Sequence, residues 1–339
     1  MGAFVGRPPS IAAWDGTWYL AIARLGYYET WVRMVGVGGL YGSYAFFPGF
    51  PLLVRAVSVV GLSPSITAAL ILLVSGIVAA YGLARLAAVL GCSHRGQLMV
   101  VALTGAAPAA VVFQIAYPDG LQIGLAAWTL SWALEHRWAN AAVGALAAGL
   151  LKPTAAALIL VVVVAGLTSW RTTGQRAALW VLVSPLGLLG YISYVAAQTG
   201  RVDGYLWIQA RGWGHRTDGG LGLMRFLPSA LADIRLGVWG PVIVGGLAVV
   251  ILGLVVTRQA LPVEVWAYCA LVSFMTVVSS GVMTAKPRQL LIGAVVLLIP
   301  LSRWLDQRPP RVLALSLVTW LVVGAYLSAY SLTVLRGAI

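Results

Sequence analysis

Acids are nearly missing from this chain: 9 Asp and Glu stand in 339 residues, beside 22 Lys and Arg. Charged residues of both signs amount to 9%, where about 25% is usual in a soluble domain. That scarcity excludes a water-soluble globular fold. The histidines number only 3, and His94, His136 and His215 are scattered, so no metal site and no cofactor is expected. Cysteine is limited to Cys92, read as lying in a turn, and Cys269, read as lying within a span, which argues against a disulfide. A signal-peptide pattern is also lacking, and Met1 to Ala13 are too short to cross a membrane. What is abundant is apolar: 60% of residues are hydrophobic and the mean hydropathy is +0.92. These values describe a polytopic, all-α membrane protein. The net charge of +13 is dispersed among the spans. It suits anionic head groups or a lipid phosphate, and nucleic acid is not an expected partner.

A spanning helix needs roughly 20 apolar residues, and the pattern predicts about ten membrane segments. They cover 65–90, 97–116, 121–134, 139–150, 153–167, 177–198, 236–257, 263–283, 290–305 and 312–335. The stretch 139–150 is too short to cross alone at ~1.5 Å per residue. With 153–167 it forms either a re-entrant hairpin or one long helix kinked at Pro153. Counting two segments puts the short loops with Arg95, Arg137, Arg171, Arg176, Arg258, Arg303, Arg308 and Arg311 on one side. Counting one would set Arg95 and Arg137 opposite the rest. The positive-inside rule favours two and makes that side cytoplasmic. The outer face then holds 14–64, 117–120, Lys152, 200–235 and 285–289. Two regions follow: 1–64, an outer-face stretch of interfacial loop and helices, and 65–339, a helical bundle with a long outer loop at 200–235. Trp14, Trp18, Ile22 and Leu25 share one helical face, as in a helix lying at the membrane surface. The Pro-broken aromatic run Phe46 to Leu53 cannot begin a clean span. The glycine-rich stretch 217–222 reads as a mobile loop.

In so apolar a chain each carboxylate needs a reason. Asp15, among aromatics, either caps a helix or serves as a general base. Asp119, in Tyr117-Pro118-Asp119-Gly120, fits a tight turn, yet that turn leaves no room for a loop and sets the carboxylate at the bilayer edge. Lys152 is either a snorkelling lysine or the partner of Asp119. Gln209, Arg211, Trp213 and His215 combine amide, aromatic and basic groups. They suit a sugar and a phosphate, or an ordinary interfacial belt. Lys286 and Arg288 open a span, where two cations oppose the helix dipole unless an anion sits there.

The segment Trp14-Asp15-Gly16-Thr17-Trp18-Tyr19 to Gly26-Tyr27, followed by Ala45-Phe46-Phe47-Pro48-Gly49-Phe50-Pro51, resembles the opening of the PIG-V-like membrane mannosyltransferases. Weaker likeness continues through Tyr117-Pro118-Asp119, Leu151-Lys152-Pro153-Thr154, Gln209 to Trp213, and Pro287-Arg288. The resemblance implies a GT-C bundle that takes sugar from a polyprenyl phosphate on the outer face, without a metal. It implies Asp15 as the base and Arg288 with Lys286 as ligands of the donor phosphate. Asp119, Lys152, Gln209, Arg211, Trp213 and His215 would bind substrate. In two respects the chain departs from that family. A spanning helix ordinarily precedes the Trp-Asp motif, so either the start is truncated or misassigned or the bundle is a shortened variant lacking one wall, and Lys152 stands where Arg is commoner.

These readings combine into one expectation. An integral protein of a bacterial plasma membrane would transfer a sugar, mannose by resemblance, from a polyprenyl-phosphate donor to a glycolipid or glycan acceptor, with inversion. The alternative from another class is a lipid-linked-sugar flippase or transporter. That would want a polar path through the midplane and internal repeats.

Overall fold

The computed structural model describes residues 11–33, 42–174 and 179–335. Arg176 and the first residues of the expected span 177–198 lie outside the described residues. Among those described, the chain is helical with a single isolated bridge, Thr217 to Ser279. Five helices are long and apolar enough to cross a membrane: Pro64–Val89, Leu179–Thr199, Trp239–Thr257, Met283–Asp306 and Pro310–Thr333. Shorter apolar helices, Gly49–Ser58, Ala155–Thr168, Leu221–Ala232 and Val263–Val278, fill in around them. The long helices carry their apolar residues all round. Leu73, Ile251, Val255 and Val322 are exposed, as a lipid-facing surface requires.

Small residues set the packing. Helices Asp119–Leu134 and Trp138–Gly149 bury Ala126, Ala127, Ala141, Ala145 and Ala148. Glycines let backbones touch: a Cβ on Gly124 would lie 2.9 Å from the Ala79 nitrogen, and one on Gly149 2.8 Å from the Leu188 nitrogen. Close approach through small residues is how membrane helices associate where burial alone offers little drive.

Several elements differ from expectation. The segment 97–116 is not one helix. His94–Gly105 stops short of Pro108, and a single-turn helix Ala110–Phe113 leads into a bent, non-helical stretch at Tyr117. A proline removes a donor and clashes with the preceding turn. The segment 290–305 begins earlier, at Lys286, and passes through a tightened turn at Val295–Leu297. The run at 46–53 begins no span, in line with the expectation, but leads into the short helix Gly49–Ser58 of 10 residues. Its Pro51 sits in the first turn, where no intrahelical N–H is required. Trp18 and Ile22 of helix Gly16–Leu25 are buried in the protein core, so that apolar face covers the bundle and not the lipid surface. The stretch 217–222 is pinned. The Asp218 carboxylate accepts from the Gly220 and Gly222 amides, and the Asp218 N–H donates to the Val278 carbonyl.

The pair Trp138–Gly149 and Ala155–Thr168 is two helices joined by a turn at Pro153. Charges sort to two ends. At one end Glu135 pairs with Arg85 and Arg137, and Asp306 with Arg95 and Ser93. The other end is reached by helix Asp119–Leu134, whose sixteen residues span about 24 Å.

Candidate functional site

Asp15 lies just ahead of helix Gly16–Leu25 in right-handed helical geometry, and its side chain makes no cap bond. The capping explanation therefore does not account for it. Trp14, immediately before, is left-handed at φ 47°, an uncommon conformation for a bulky residue. The Asp15 N–H donates to the Tyr117 hydroxyl at 3.0 Å.

A bent, non-helical stretch through Tyr117 leads to Pro118, already in right-handed helical geometry, and helix Asp119–Leu134 starts with a carboxylate. The positive end of a helix favours an anion there. Asp119 is fully buried, so it needs cations, and it has two. Lys152 Nζ, on the turn between the short helices, donates to Oδ1 at 3.0 Å. Arg288, from the first turn of Lys286–Ala294, approaches Oδ2 at 3.5 Å. The other arm of the Arg288 guanidinium lies 3.9 Å from Asp15 Oδ2, and the guanidinium sits 4.5 Å from the centroid of the Tyr117 ring. Four charges, two of each sign, thus meet at one end of the bundle.

Arg288 is under-used in this cluster. It has five N–H donors, its side chain is only 9% exposed, and its nearest carboxylate oxygens stand at 3.5 and 3.9 Å. Those separations are long for hydrogen bonds. The Nε has no partner at all. Buried donors are normally satisfied, and Arg288 retains donor capacity that its neighbours do not use.

Asp15 keeps an open side, with 29% of its side chain exposed. Burial pushes its carboxyl above the ordinary Asp value, while Arg288, Lys152 and His215 pull it back. Raising a carboxyl strengthens it as a proton acceptor at neutral pH.

The other predicted residues divide. Lys286 is placed differently from Arg288: its ammonium donates to the Thr276 and Ser279 carbonyls at 2.5 Å and to the Ser279 hydroxyl at 2.9 Å. Those carbonyls end helix Val263–Val278, so Lys286 caps that helix and has no donor left for a phosphate. Gln209 is likewise a brace, its amide N–H groups donating to Ala45 O and the Tyr205 hydroxyl. Trp213 packs its ring edge-on against Trp18 and Phe46, at 5.3 and 5.2 Å, and forms a wall beside the Trp-Asp segment. His215 is half-buried; burial first and the Lys286 charge second hold its pKa down, so it is neutral at pH 7. Arg211 is exposed on helix Gly204–Gly212. Among the described residues no group of three potential ligands could hold a metal. The residue that sequence reading passed over is Tyr117, whose only signal was its place beside Pro118-Asp119.

No family model matches the chain, and no curated protein matches it. Among solved structures it is similar to ArnT from Cupriavidus metallidurans bound to undecaprenyl phosphate. The TM-score is 0.60 at 18% identity, over 94% of this chain and 60% of that one. It is similar also to the apo state of that ArnT, with a TM-score of 0.60 at 16% identity and the same coverage, 94% and 60%. The chain therefore spans 60% of the length of ArnT, and what the two share is the fold.

Proposed function

We propose that this protein is a polyprenyl-phosphate-sugar-dependent glycosyltransferase, with mannose as the sugar. The observation that carries the reading is the under-bonded Arg288 guanidinium standing beside the partly open carboxylate of Asp15. A phosphate supplies the acceptors Arg288 lacks, in a fork that matches two phosphate oxygens. The ArnT likeness supports it, because that protein binds undecaprenyl phosphate. Mannose rests on the PIG-V-like Trp-Asp motif.

The reaction uses these side chains and its two substrates. An acceptor hydroxyl gives its proton to Asp15 as its oxygen bonds to the anomeric carbon. The bond from that carbon to the phosphate oxygen breaks, and the polyprenyl phosphate leaves with the electron pair, stabilised by Arg288. Attack opposite the leaving group inverts the anomeric centre, so a β-linked donor gives an α-linked product. Lys152 neutralises Asp119 and so leaves Arg288 available. Collection of these charges at one end, with no ladder of charged groups along the helices, favours transfer over transport. The active end faces outward by the distribution of short-loop arginines, in a bacterial plasma membrane.

The test uses purified protein in lipid nanodiscs with labelled polyprenyl-phosphomannose and a glycolipid acceptor. Wild type is expected to transfer. Asp15→Asn is expected to lose roughly 10²–10⁴-fold in rate while still binding undecaprenyl phosphate. Near-normal transfer by that variant, or wild-type indifference to polyprenyl-phosphate sugars, overturns the proposal. With Asp15 raised by burial, the acid limb of kcat/KM is expected above the ordinary Asp range.

A further inference from the structure

Tyr117 is fully buried and is fixed from several sides. Its hydroxyl receives the Asp15 N–H at 3.0 Å. Its ring carries the Arg288 guanidinium at 4.5 Å, and Tyr19 meets that ring edge-on at 6.1 Å. Next to it, the Ala116 N–H donates to the Ile11 carbonyl at 2.8 Å, which ties the same stretch of chain to the N-terminal segment. The Asp15 N–H belongs to the peptide that follows Trp14, the residue held at φ 47°. Strained backbone of that kind persists only where its surroundings over-determine it: here the Thr17 N–H holds the carbonyl of that peptide at 3.2 Å, and the Tyr117 hydroxyl holds its N–H.

We propose that Tyr117 is a positioning residue, whose hydroxyl fixes the Asp15 carboxylate and whose ring fixes the Arg288 guanidinium in one shared register. This rests on the assignment of Asp15 as base and Arg288 as phosphate ligand. The two functions reside on separate atoms of one side chain, so two substitutions divide them. Tyr117→Phe removes the hydroxyl and keeps the ring. Trp14 is then free to relax and Asp15 shifts with it. Tyr117→Leu removes both the hydroxyl and the face on which the cation rests.

Kinetics and binding of the full chain in nanodiscs distinguish these effects. Tyr117→Phe is expected to lower kcat about three- to tenfold, the scale of one lost hydrogen bond, with undecaprenyl phosphate affinity unchanged. Tyr117→Leu is expected to weaken that affinity as well, by about two- to thirtyfold, the scale of a cation–π contact. A pH profile adds a readout that packing alone would not move. The groups facing Asp15 are Arg288, Lys152, His215, Tyr19 and the Tyr117 hydroxyl. Only the last is removed in the Phe variant. Because that hydroxyl favours the ionised carboxylate, its loss moves the acid limb to higher pH. Wild-type kcat and an unmoved acid limb in Tyr117→Phe overturn this inference while leaving the transferase assignment intact. A wild-type protein that transfers no sugar and binds no undecaprenyl phosphate removes that assignment, and this inference with it.

Discussion

At the scale of single residues, charge was the legible signal and geometry the hidden one. Asp15, Asp119, Lys152 and Arg288 could be singled out because a buried charge in so apolar a chain demands a counterpart. The structure gathers these four. Lys286 was grouped with Arg288 because they are neighbours in sequence. Residues two apart on a helix point to nearly opposite sides, and Lys286 turns back to cap Val263–Val278. Tyr117 could not stand out in a chain rich in aromatic residues until its contacts were visible. The contrast between the two cations is testable. Arg288→Ala is expected to weaken undecaprenyl phosphate binding about ten- to a hundredfold, from a lost charge-assisted contact of ~1.5–3 kcal/mol. Arg288→Lys should recover only part of it, since a point charge replaces a fork. Lys286→Met should leave the affinity near wild type and lower the melting temperature, because it strips the last carbonyls of a helix. Titration with undecaprenyl phosphate separates them, and a large affinity loss in Lys286→Met would return Lys286 to the phosphate site.

At the scale of helices, apolar runs marked where elements lie, and prolines decided where they break. The division between Trp138–Gly149 and Ala155–Thr168 followed from arginine placement alone. The end of His94–Gly105 did not, because an apolar run across Pro108 reads the same whether helix or turn. Contacts between helices were beyond reach, since a sequence does not say which glycine faces a neighbour. Gly187 and Gly190, on the same helix Leu186–Thr199, show the difference. A Cβ on Gly187 would stand 2.1 Å from the Leu146 carbonyl oxygen, whereas one on Gly190 meets nothing within 4 Å. Gly187→Ala must push Leu186–Thr199 away from Trp138–Gly149, and overpacking of this kind costs about 1–3 kcal/mol. Gly190→Ala only removes backbone freedom from the unfolded chain and should add about 0.5–1 kcal/mol. Thermal unfolding in detergent reads both. Equal melting temperatures for the two variants would contradict the close approach of these helices.

At the scale of the whole molecule, the question is which end of the bundle faces the cell exterior. Loops assigned to one face by counting spans do meet at one end: Asp15, Asp119, Lys152 and Arg288 form one cluster, while Glu135 and Asp306 pair with arginines at the other. Arg303 and Arg308 flank Asp306, and Arg137 lies beside Glu135. On the positive-inside rule we propose that the Asp306 end faces the cytoplasm and the proposed active end faces outward. Single cysteines test this without any substrate. Thr217 and Gln307 are exposed and lie at opposite ends of the bundle. Cys92 and Cys269 are both buried, so the native background is low. In intact cells an impermeant maleimide is expected to label the Thr217→Cys variant. The Gln307→Cys variant should stay silent until the membrane is opened. The reverse pattern would keep the fold and the site but move the polyprenyl-phosphate donor to the inner leaflet. Labelling of both variants from outside would break the count of three crossings between them, 236–257, 263–283 and 290–305, because only an added or missing crossing between Thr217 and Gln307 can bring those two ends to the same face.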